Sequence, residues 1–260
     1  MFPGLAFFNL AWPLAKRDVL ARYRGSVVGV LWALLTPLVM VAVYASVFQG
    51  VFQARWAGGT GDGLGYVARL FAGLMMFSAV SEVATRATRL VQDNANLVKR
   101  VVFPFELLAA ALLIQVAVHS LLHVGLLAVL LEAMGEGPRV SWLWVPLAWV
   151  WLLTLQYALA LLLAALGCYL RDLQHLVPVA MGGLLFLTPV FYPMSAAPKA
   201  LAALLAINPL TMPIEMARAG WFGDAFDGVA AACQMALLVL ALVGARWVFR
   251  RLRPGFADLV

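Results

Sequence analysis

The stretch that decides the fold is residues 105–131, FELLAAALLIQVAVHSLLHVGLLAVLL, in which Glu106 is the only residue with a formal charge at neutral pH. As an α-helix rising about 1.5 Å per residue, it would extend about 40 Å, which exceeds the roughly 30 Å hydrocarbon core of a bilayer. A helix satisfies its own backbone polar groups, so it can lie in lipid. We therefore predict a transmembrane helix here.

The rest of the chain has the same character. Of 260 residues, 65% are hydrophobic and 12% are charged, whereas soluble proteins have about 45–50% and about 25%. This composition excludes a soluble globule. Six apolar spans are predicted: Val27–Phe52, Tyr66–Val91, Phe105–Leu131, Trp142–Leu166, Val177–Tyr192 and Val229–Val248. The predicted fold is an all-α polytopic membrane protein, with six transmembrane helices in one domain over residues 1–260.

The basic residues predict the orientation. With six spans, both termini share one side of the membrane. That side carries thirteen of the eighteen lysines and arginines: Lys16, Arg17, Arg22, Arg24, Arg86, Arg89, Lys99, Arg100, Arg171, Arg246, Arg250, Arg251 and Arg253. The other side carries five: Arg55, Arg69, Arg139, Lys199 and Arg218. The positive-inside rule therefore predicts cytoplasmic termini and a cytoplasmic tail at residues 249–260. The same clustering disfavours nucleic-acid binding.

Two connections differ from simple loops. Residues 7–24, within the cytoplasmic segment 1–26, mix apolar and basic side chains, which favours a helix in the membrane interface over a frayed tail. Residues 193–228 contain two apolar stretches too short to cross, Lys199–Ile207 and Leu210–Trp221. We predict that these form short helices dipping into the outer leaflet, the alternative being an ordinary exterior loop.

The sequence offers no catalytic chemistry. None of the three lysines, Lys16, Lys99 and Lys199, is followed by Ser or Thr, so the chain lacks a phosphate-binding loop for ATP. His119 and His123 have the spacing of metal ligands on a helix, but no cysteine or carboxylate cluster accompanies them, which favours packing or hydrogen bonding between helices. We predict no metal, no cofactor in this chain and no enzymatic activity.

Several motifs occur in the order found in one family. They are Arg22-Tyr23-Arg24-Gly25-Ser26-Val27-Val28-Gly29-Val30-Leu31-Trp32 followed by Thr36-Pro37, Asn96 to Pro104, Leu170-Arg171-Asp172, Thr188-Pro189-Val190-Phe191-Tyr192-Pro193 and Asn208-Pro209-Leu210. The set resembles the permease subunit of ABC transporters that export O-antigen, capsule and teichoic-acid polysaccharides. Two positions depart from the family: Val28 replaces a common leucine, and Phe105 stands where many relatives have a basic residue.

The resemblance implies a bacterial inner-membrane homodimer, with ATP and Mg²⁺ on a separate cytoplasmic ATPase subunit and a lipid-linked polysaccharide as substrate. It also implies four groups of site residues. They are an ATPase contact at Asp93, Asn94, Asn96, Leu97, Lys99 and Arg100; an interface loop at Arg22, Tyr23, Arg24, Ser26 and Gly29; a channel lining at Trp32, Tyr44 and Phe48; and an exterior gate at Tyr192, Pro193, Asn208 and Pro209.

Three alternatives remain open from the sequence. A small-molecule or drug efflux permease of the same superfamily would share the six-span plan, and an envelope-assembly scaffold would need no ATPase. The stretch Asp93 to Arg100 would look similar if it were only a solvated turn. A neighbouring gene for an ATPase would separate the transport readings from the scaffold.

Overall fold

The structure, a computed structural model, describes residues 4–51, 63–96, 104–137 and 139–256, and within these ranges it contains helices and no strand. The α-helices are α1 Gly4–Tyr23, α2 Trp32–Ala45, α3 Gly63–Ala87, α4 Glu106–Ala133, α5 Trp144–Tyr169, α6 Leu173–Phe186, α7 Lys199–Ile207, α8 Thr211–Phe222 and α9 Gly228–Leu252. Short 3₁₀ turns flank several of them, and a π-helical segment, Ser46–Val51, continues α2. The all-helical prediction is confirmed for this part of the chain.

Four helical segments are long and apolar enough to cross a membrane. They are Gly63–Ala87, Glu106–Ala133, Val140–Tyr169 and Gly228–Gly255. The pair α7 and α8 is bent by 88° and would count as a fifth span if it crossed as one unit. Because α2 and α6 are shorter apolar helices, the geometry supports four or five spans by length alone.

The helix ends differ from the predicted span ends in two places. The first predicted span is built from three consecutive helical segments, Gly29–Leu31, α2 and Ser46–Val51. The fifth is shorter than predicted, because α6 ends at Phe186 and residues 187–192 form a turn instead of further helix. The residue that follows in the sequence, Leu187, has already left helical geometry with ψ of 14°.

The centre of the bundle is α3, which packs against α2, α4, α5, α6 and α8. Most of its side chains are buried, including Phe71, Met75 and Met76. Small residues such as Ala72 and Gly73 allow its neighbours to approach closely, which is how helices associate in lipid. These five helices are therefore arranged around α3.

The outer helices bury much less of their surface. Only 17% of the apolar window of Gly228–Gly255 is buried, against 67% for Gly63–Ala87. The shorter α2 also exposes large apolar side chains, among them Leu35, Val39 and Val43. Apolar surface of this extent is suited to contact with lipid or with a second copy of the chain.

The first helix, α1, lies along α4. Its contact side includes Ala11 and Ala15, four residues apart and buried, while Lys16 and Arg17 are exposed. The helix predicted at residues 7–24 is therefore present, and its location in the membrane interface stays a prediction.

Candidate functional site

A cleft of about 400 Å³ opens between α2, α3 and α4, next to the end of α1. Its wall combines aromatic, hydroxyl and ionisable side chains: Trp32, Tyr44, Phe77, Thr36, Ser78, Ser81, Arg22, Glu82, His119 and His123. We call this cleft the inner cleft. Such a mixture of aromatic faces and hydrogen-bonding groups is typical of ligand sites.

Glu82 ties three helices together at one end of the inner cleft. Its Oε1 accepts hydrogen bonds from Arg22 of α1 and, at 3.2 Å, from Arg86 one turn further along α3. The second Arg86 nitrogen donates to Gln115 Oε1 of α4 at 2.7 Å. Glu82 therefore links α3 to α1, and Arg86 extends the link to α4.

The two histidines act between helices. Arg22 Nη1 lies 3.4 Å from His119 Nδ1, and since an arginine can only donate, this histidine nitrogen accepts. His123 Nε2 lies 2.9 Å from the carbonyl oxygen of Ala33 on α2, so it donates. Among the described residues no group of three His, Cys, Asp or Glu side chains could hold a metal ion. In the described structure both histidines make hydrogen-bond contacts with residues of other helices.

Two of the three predicted channel residues line the inner cleft. Trp32 is 48% exposed at the start of α2, and Tyr44 is half-buried near its end. Twelve residues of helix separate them by about 18 Å. The Tyr44 ring stands edge-on to Phe191 at 5.2 Å, so this wall residue also contacts the turn after α6. The Phe48 side chain lies outside the described residues.

The turn at residues 187–192 is non-helical backbone, and each carbonyl group of residues 186–191 has a hydrogen-bond partner. Two of the bonds are local: the Tyr192 hydroxyl donates to Phe186 O, and the Val190 amide donates to Thr188 O. The others come from distant residues. Asn208 Nδ2 donates to Leu187 O, Arg218 donates to both Pro189 O and Val190 O, and the Tyr66 hydroxyl donates to Phe191 O. Non-helical backbone at membrane depth is tolerated only when it is satisfied in this way. The side chains of α3, α8 and the α7–α8 connection therefore hold this turn, which we call the 187–192 turn.

Arg218 is buried to 1% exposure and is the main anchor of the 187–192 turn. Its Nη2 donates to Val190 O at 2.7 Å and approaches Arg69 O at 3.4 Å, and its Nη1 also pairs with Glu215 at 3.3 Å. Opposite stands Gly73, where a Cβ would lie 2.8 Å from Nη2. A glycine at this position of α3 therefore makes room for the guanidinium.

Asn208 joins the α7–α8 connection to the same turn. Its Nδ2 donates to Leu187 O and to Thr188 Oγ1, both at 2.9 Å, and its Oδ1 accepts from the Leu210 amide. Of the other predicted gate residues, Tyr192 binds the end of α6, whereas Pro209 is exposed in the connection. Pro193 lines a second cleft, between α7, α8 and α9.

Comparison with known proteins identifies the family. The ABC-2 type transporter family matches residues 9–222, from within α1 to the end of α8. This chain belongs to the ABC-2 type transporter family. The matched part of this ABC-2 chain contains both the inner cleft and the 187–192 turn.

Individual relatives of this ABC-2 chain are similar over most of its length. The O-antigen export system permease protein RfbA of Klebsiella pneumoniae is 24% identical over 259 residues, 97% of this chain and 95% of that protein. The protein of the same name from Myxococcus xanthus is 28% identical and covers 95% and 94%. The polysialic acid transport protein KpsM of Escherichia coli is 23% identical over 79% and 78%.

The predicted ATPase contact of this ABC-2 chain is described in part. Asp93 and Asn94 lie in a 3₁₀ turn after α3, with Asp93 more than half exposed and paired with Arg89 at 3.5 Å. Asn94 Nδ2 donates to Leu90 O at 2.9 Å, and Asn96 is exposed. Leu97, Lys99 and Arg100 lie outside the described residues.

The base of this region is fixed by close packing of α5 on the end of α3. The Gln92 amide donates to the Gly167 carbonyl at 3.1 Å. A Cβ on Gly167 would lie 2.8 Å from the carbonyl carbon of Thr88. No sequence pattern indicated this contact, because it joins residues far apart in the chain.

The predicted interface loop contributes one residue to the inner cleft of the ABC-2 chain. Arg22 reaches Glu82, whereas Arg24 and Ser26 are exposed, and Ser26 Oγ accepts from the Gly29 amide at 3.2 Å. Gly29 has a φ of 58°, in the left-handed region that favours glycine. The Tyr23 side chain lies outside the described residues.

Proposed function

We propose that this chain is the membrane subunit of an exporter that moves a lipid-linked polysaccharide of the O-antigen or capsule type across the bacterial inner membrane. The observation that carries the proposal is similarity over about nine-tenths of the chain to permeases named for O-antigen export. The inner cleft supports it, because sugar rings stack their apolar C–H faces on aromatic side chains and use their hydroxyl groups for hydrogen bonds.

ATP hydrolysis is assigned to a separate cytoplasmic subunit. The chain has no lysine followed by Ser or Thr, so it lacks the phosphate-binding loop of such ATPases. The exposed Asp93 and Asn96 follow the central helix α3 and are placed to receive a partner protein. We propose that the ATPase, with its ATP and Mg²⁺, binds this end of the bundle.

Six spans with cytoplasmic termini are part of the same proposal. The segments Gly29–Leu31, α2 and Ser46–Val51 contain 3, 14 and 6 residues, and at about 1.5 Å per residue they extend about 34 Å together, enough to cross. The 14-residue α6 is too short alone. The 187–192 turn lengthens it with backbone whose carbonyls are satisfied, which supports α6 as the fifth span.

A homodimer with the channel between two copies accounts for the exposed face of α2. In one chain, Trp32 and Met40 are about half exposed although both line the inner cleft. A second copy facing α2 would close the cleft and place its aromatic wall inside a shared passage. We therefore assign the channel lining to Trp32 and Tyr44.

Gene deletion followed by complementation tests the function. Loss of surface glycan, with lipid-linked glycan accumulating on the cytoplasmic side, is expected. Complementation with Trp32→Ala should restore export poorly. Trp247→Ala is the matched control, because Trp247 is 68% exposed on the outer helix α9 and should restore export fully. If deletion leaves the surface glycan and its lipid-linked precursor unchanged, the chain exports something else.

The ATPase assignment has its own test. The purified chain should hydrolyse no ATP, and it should copurify with an ATP-binding-cassette subunit encoded in the same genome. Substrate-stimulated hydrolysis should appear only in the complex. ATP hydrolysis by the chain alone would contradict the assignment of that activity to a separate subunit.

A further inference from the structure

The largest fully buried side chain in the described residues is a charged one, Arg218. It lies in the apolar helix α8, and a buried ionisable residue in such a segment needs a structural or functional reason. Its guanidinium donates to two consecutive carbonyls, Pro189 O and Val190 O, which matches the planar fork of an arginine.

These bonds connect three elements into one unit. Arg218 belongs to α8, the accepting carbonyls belong to the 187–192 turn, and Arg69 O and Gly73 belong to α3. Moving α8 away from the 187–192 turn would break both bonds from the guanidinium to Pro189 O and Val190 O at the same time. Since each unpaired buried polar group costs free energy, the three elements resist separation.

A second contact holds the far end of α8. Arg69 binds both carboxylate oxygens of Asp224, with Nη2–Oδ1 at 3.1 Å and Nε–Oδ2 at 3.3 Å. The same guanidinium lies 4.4 Å from the ring centre of Phe222. Helix α8 is therefore tied to α3 at its middle and at its C-terminal end.

Helix α7 is held far less. It makes only sparse contacts with the other helices of the described chain, and Leu205 is its one side chain described as buried. Ile207 is 78% exposed. Two hydrogen bonds reach α7 from neighbouring helices: Gln234 Nε2 of α9 donates to Ala206 O at 2.6 Å, and Thr211 Oγ1 at the start of α8 donates to Leu205 O at 2.7 Å. A cleft of about 730 Å³ between α7, α8 and α9 gives α7 space to move.

We propose that Arg218 is a positioning residue that keeps α8, the 187–192 turn and α3 together during transport, so that of the two short helices only α7 moves when the exterior end opens. This differs from a gate in which both short helices swing around Asn208. The part about opening rests on the proposed export function, whereas the part about Arg218 concerns the chain by itself.

Hydrogen exchange on the chain in lipid nanodiscs tests the Arg218 part without any partner. In the wild type, the amides of α7 should exchange quickly, and those of α8 and of the 187–192 turn slowly. Arg218→Met should speed exchange in the turn by at least about tenfold, the effect of losing charged hydrogen bonds. Arg218→Lys should fail to restore protection, because one ammonium group cannot replace the two-pronged guanidinium.

Glu215→Gln is the matched control. It removes the charge that pairs with Arg218 and leaves the bonds to Pro189 O and Val190 O in place. Protection of the turn should stay within about twofold of the wild type, because the glutamine Oε1 can still accept from Arg218 Nη1 and both carbonyl bonds remain. Equal loss of protection in Glu215→Gln and Arg218→Met, or full protection in Arg218→Lys, would overturn the assignment.

Distances between spin labels test which helix moves. Labels at Leu64, Leu204 and Ala225, all exposed, mark α3, α7 and the end of α8 in a chain with Cys168→Ala and Cys233→Ala. Between nucleotide-free and ATP-trapped complexes with the ATPase, the Leu64–Leu204 distance should shift and the Leu64–Ala225 distance should not.

The outcomes separate the two proposals. A joint shift of both distances, or no shift of either in a complex that exports glycan, would overturn the idea that α7 moves without α8. If no ATPase complex forms, the proposed export function fails, while hydrogen exchange still decides whether Arg218 holds the turn.

Discussion

Replacing Gly167 with alanine should separate α5 from the end of α3. Gly167 lies where α5 touches Thr88, and its carbonyl accepts the Gln92 side-chain hydrogen bond. This contact sits directly before Asp93 and Asn94, so it positions the predicted ATPase contact. One added methyl group therefore tests both the packing of the bundle and its link to the partner.

The size of the effect follows from the distances. A Cβ on Gly167 would overlap the carbonyl oxygen of Thr88 and lie 2.8 Å from its carbonyl carbon and 2.9 Å from its Cα, whereas carbon atoms in contact prefer about 3.5–4.0 Å. All three atoms are backbone, so the helices must part by about 1 Å. Overpacking of this kind costs about 1–3 kcal/mol, and a weakened Gln92 bond adds about 1 kcal/mol. The better helix propensity of alanine offsets this loss of stability by up to about 1 kcal/mol.

The net loss of about 1–4 kcal/mol corresponds to a Tm lower by roughly 2–16 °C, by the scale of domains of similar size. Thermal unfolding of the purified protein in lipid nanodiscs measures it. Gly244→Ala on α9 is the matched control, since its Cβ would meet nothing within 4 Å, and its Tm should equal or slightly exceed that of the wild type. A Gly167→Ala protein as stable as this control would refute the close approach of α5 to α3.

Three further outcomes are expected. Asn208→Ala should lower stability by about 1–3 kcal/mol in thermal unfolding, because Leu187 O and Thr188 Oγ1 lose their donor; Tm unchanged from the wild type would contradict this. Glu82→Gln should change stability by less than about 1 kcal/mol, since its ion pairs are partly exposed, yet it should slow export by loosening α1 from α3; export at the wild-type rate would remove that role. Cysteines placed at Leu64 and Asp93 should react with an impermeant thiol reagent from opposite sides of the membrane, and labelling of both from one side would refute the predicted topology.

The helices that the sequence predicts best are those with long, uninterrupted apolar runs. The runs around α4 and α9 correspond to helices Glu106–Ala133 and Gly228–Leu252. The boundaries of α6 are less well predicted, because hydropathy does not distinguish helix from an apolar turn. The fifth predicted span continues to Tyr192, but the helix ends at Phe186, where tertiary hydrogen bonds replace helical ones.

Arg218 shows why part of the site could not be predicted. The charge count places it with the exterior basic residues, and an exterior loop would leave it in water. Its burial depends on Pro189, Val190 and Gly73, which come from distant parts of the chain. The available signal was a lone arginine in the apolar stretch Leu210–Trp221, with Glu215 one turn before it. Such an arginine needs buried hydrogen-bond partners, but the sequence does not show which residues supply them.

The inner cleft was partly predictable for a different reason. Trp32 and Tyr44 were named through the family resemblance, and both line the cleft. Glu82 and Arg22 carry opposite charges sixty positions apart, so only the packing of α1 beside α3 and α4 brings them together. Sequence spacing predicts neighbours within one helix, as for Glu82 and Arg86, and it cannot predict pairs between helices.

Helices α2 and α3 both run from the inner cleft to the region of the 187–192 turn, and they are held with unequal strength. On α3, nine residues or about 14 Å separate Gly73, which faces Arg218, from Glu82 at the inner cleft. Helix α2 spans a similar length, and besides its apolar packing on α3 it has one hydrogen bond, from His123 to Ala33 O, and one ring contact, from Tyr44 to the 187–192 turn. Breaking those contacts leaves one carbonyl unpaired, whereas shifting α3 would disrupt the whole Arg218 cluster. We therefore expect α2 to move against a fixed α3 when the passage widens for a sugar chain.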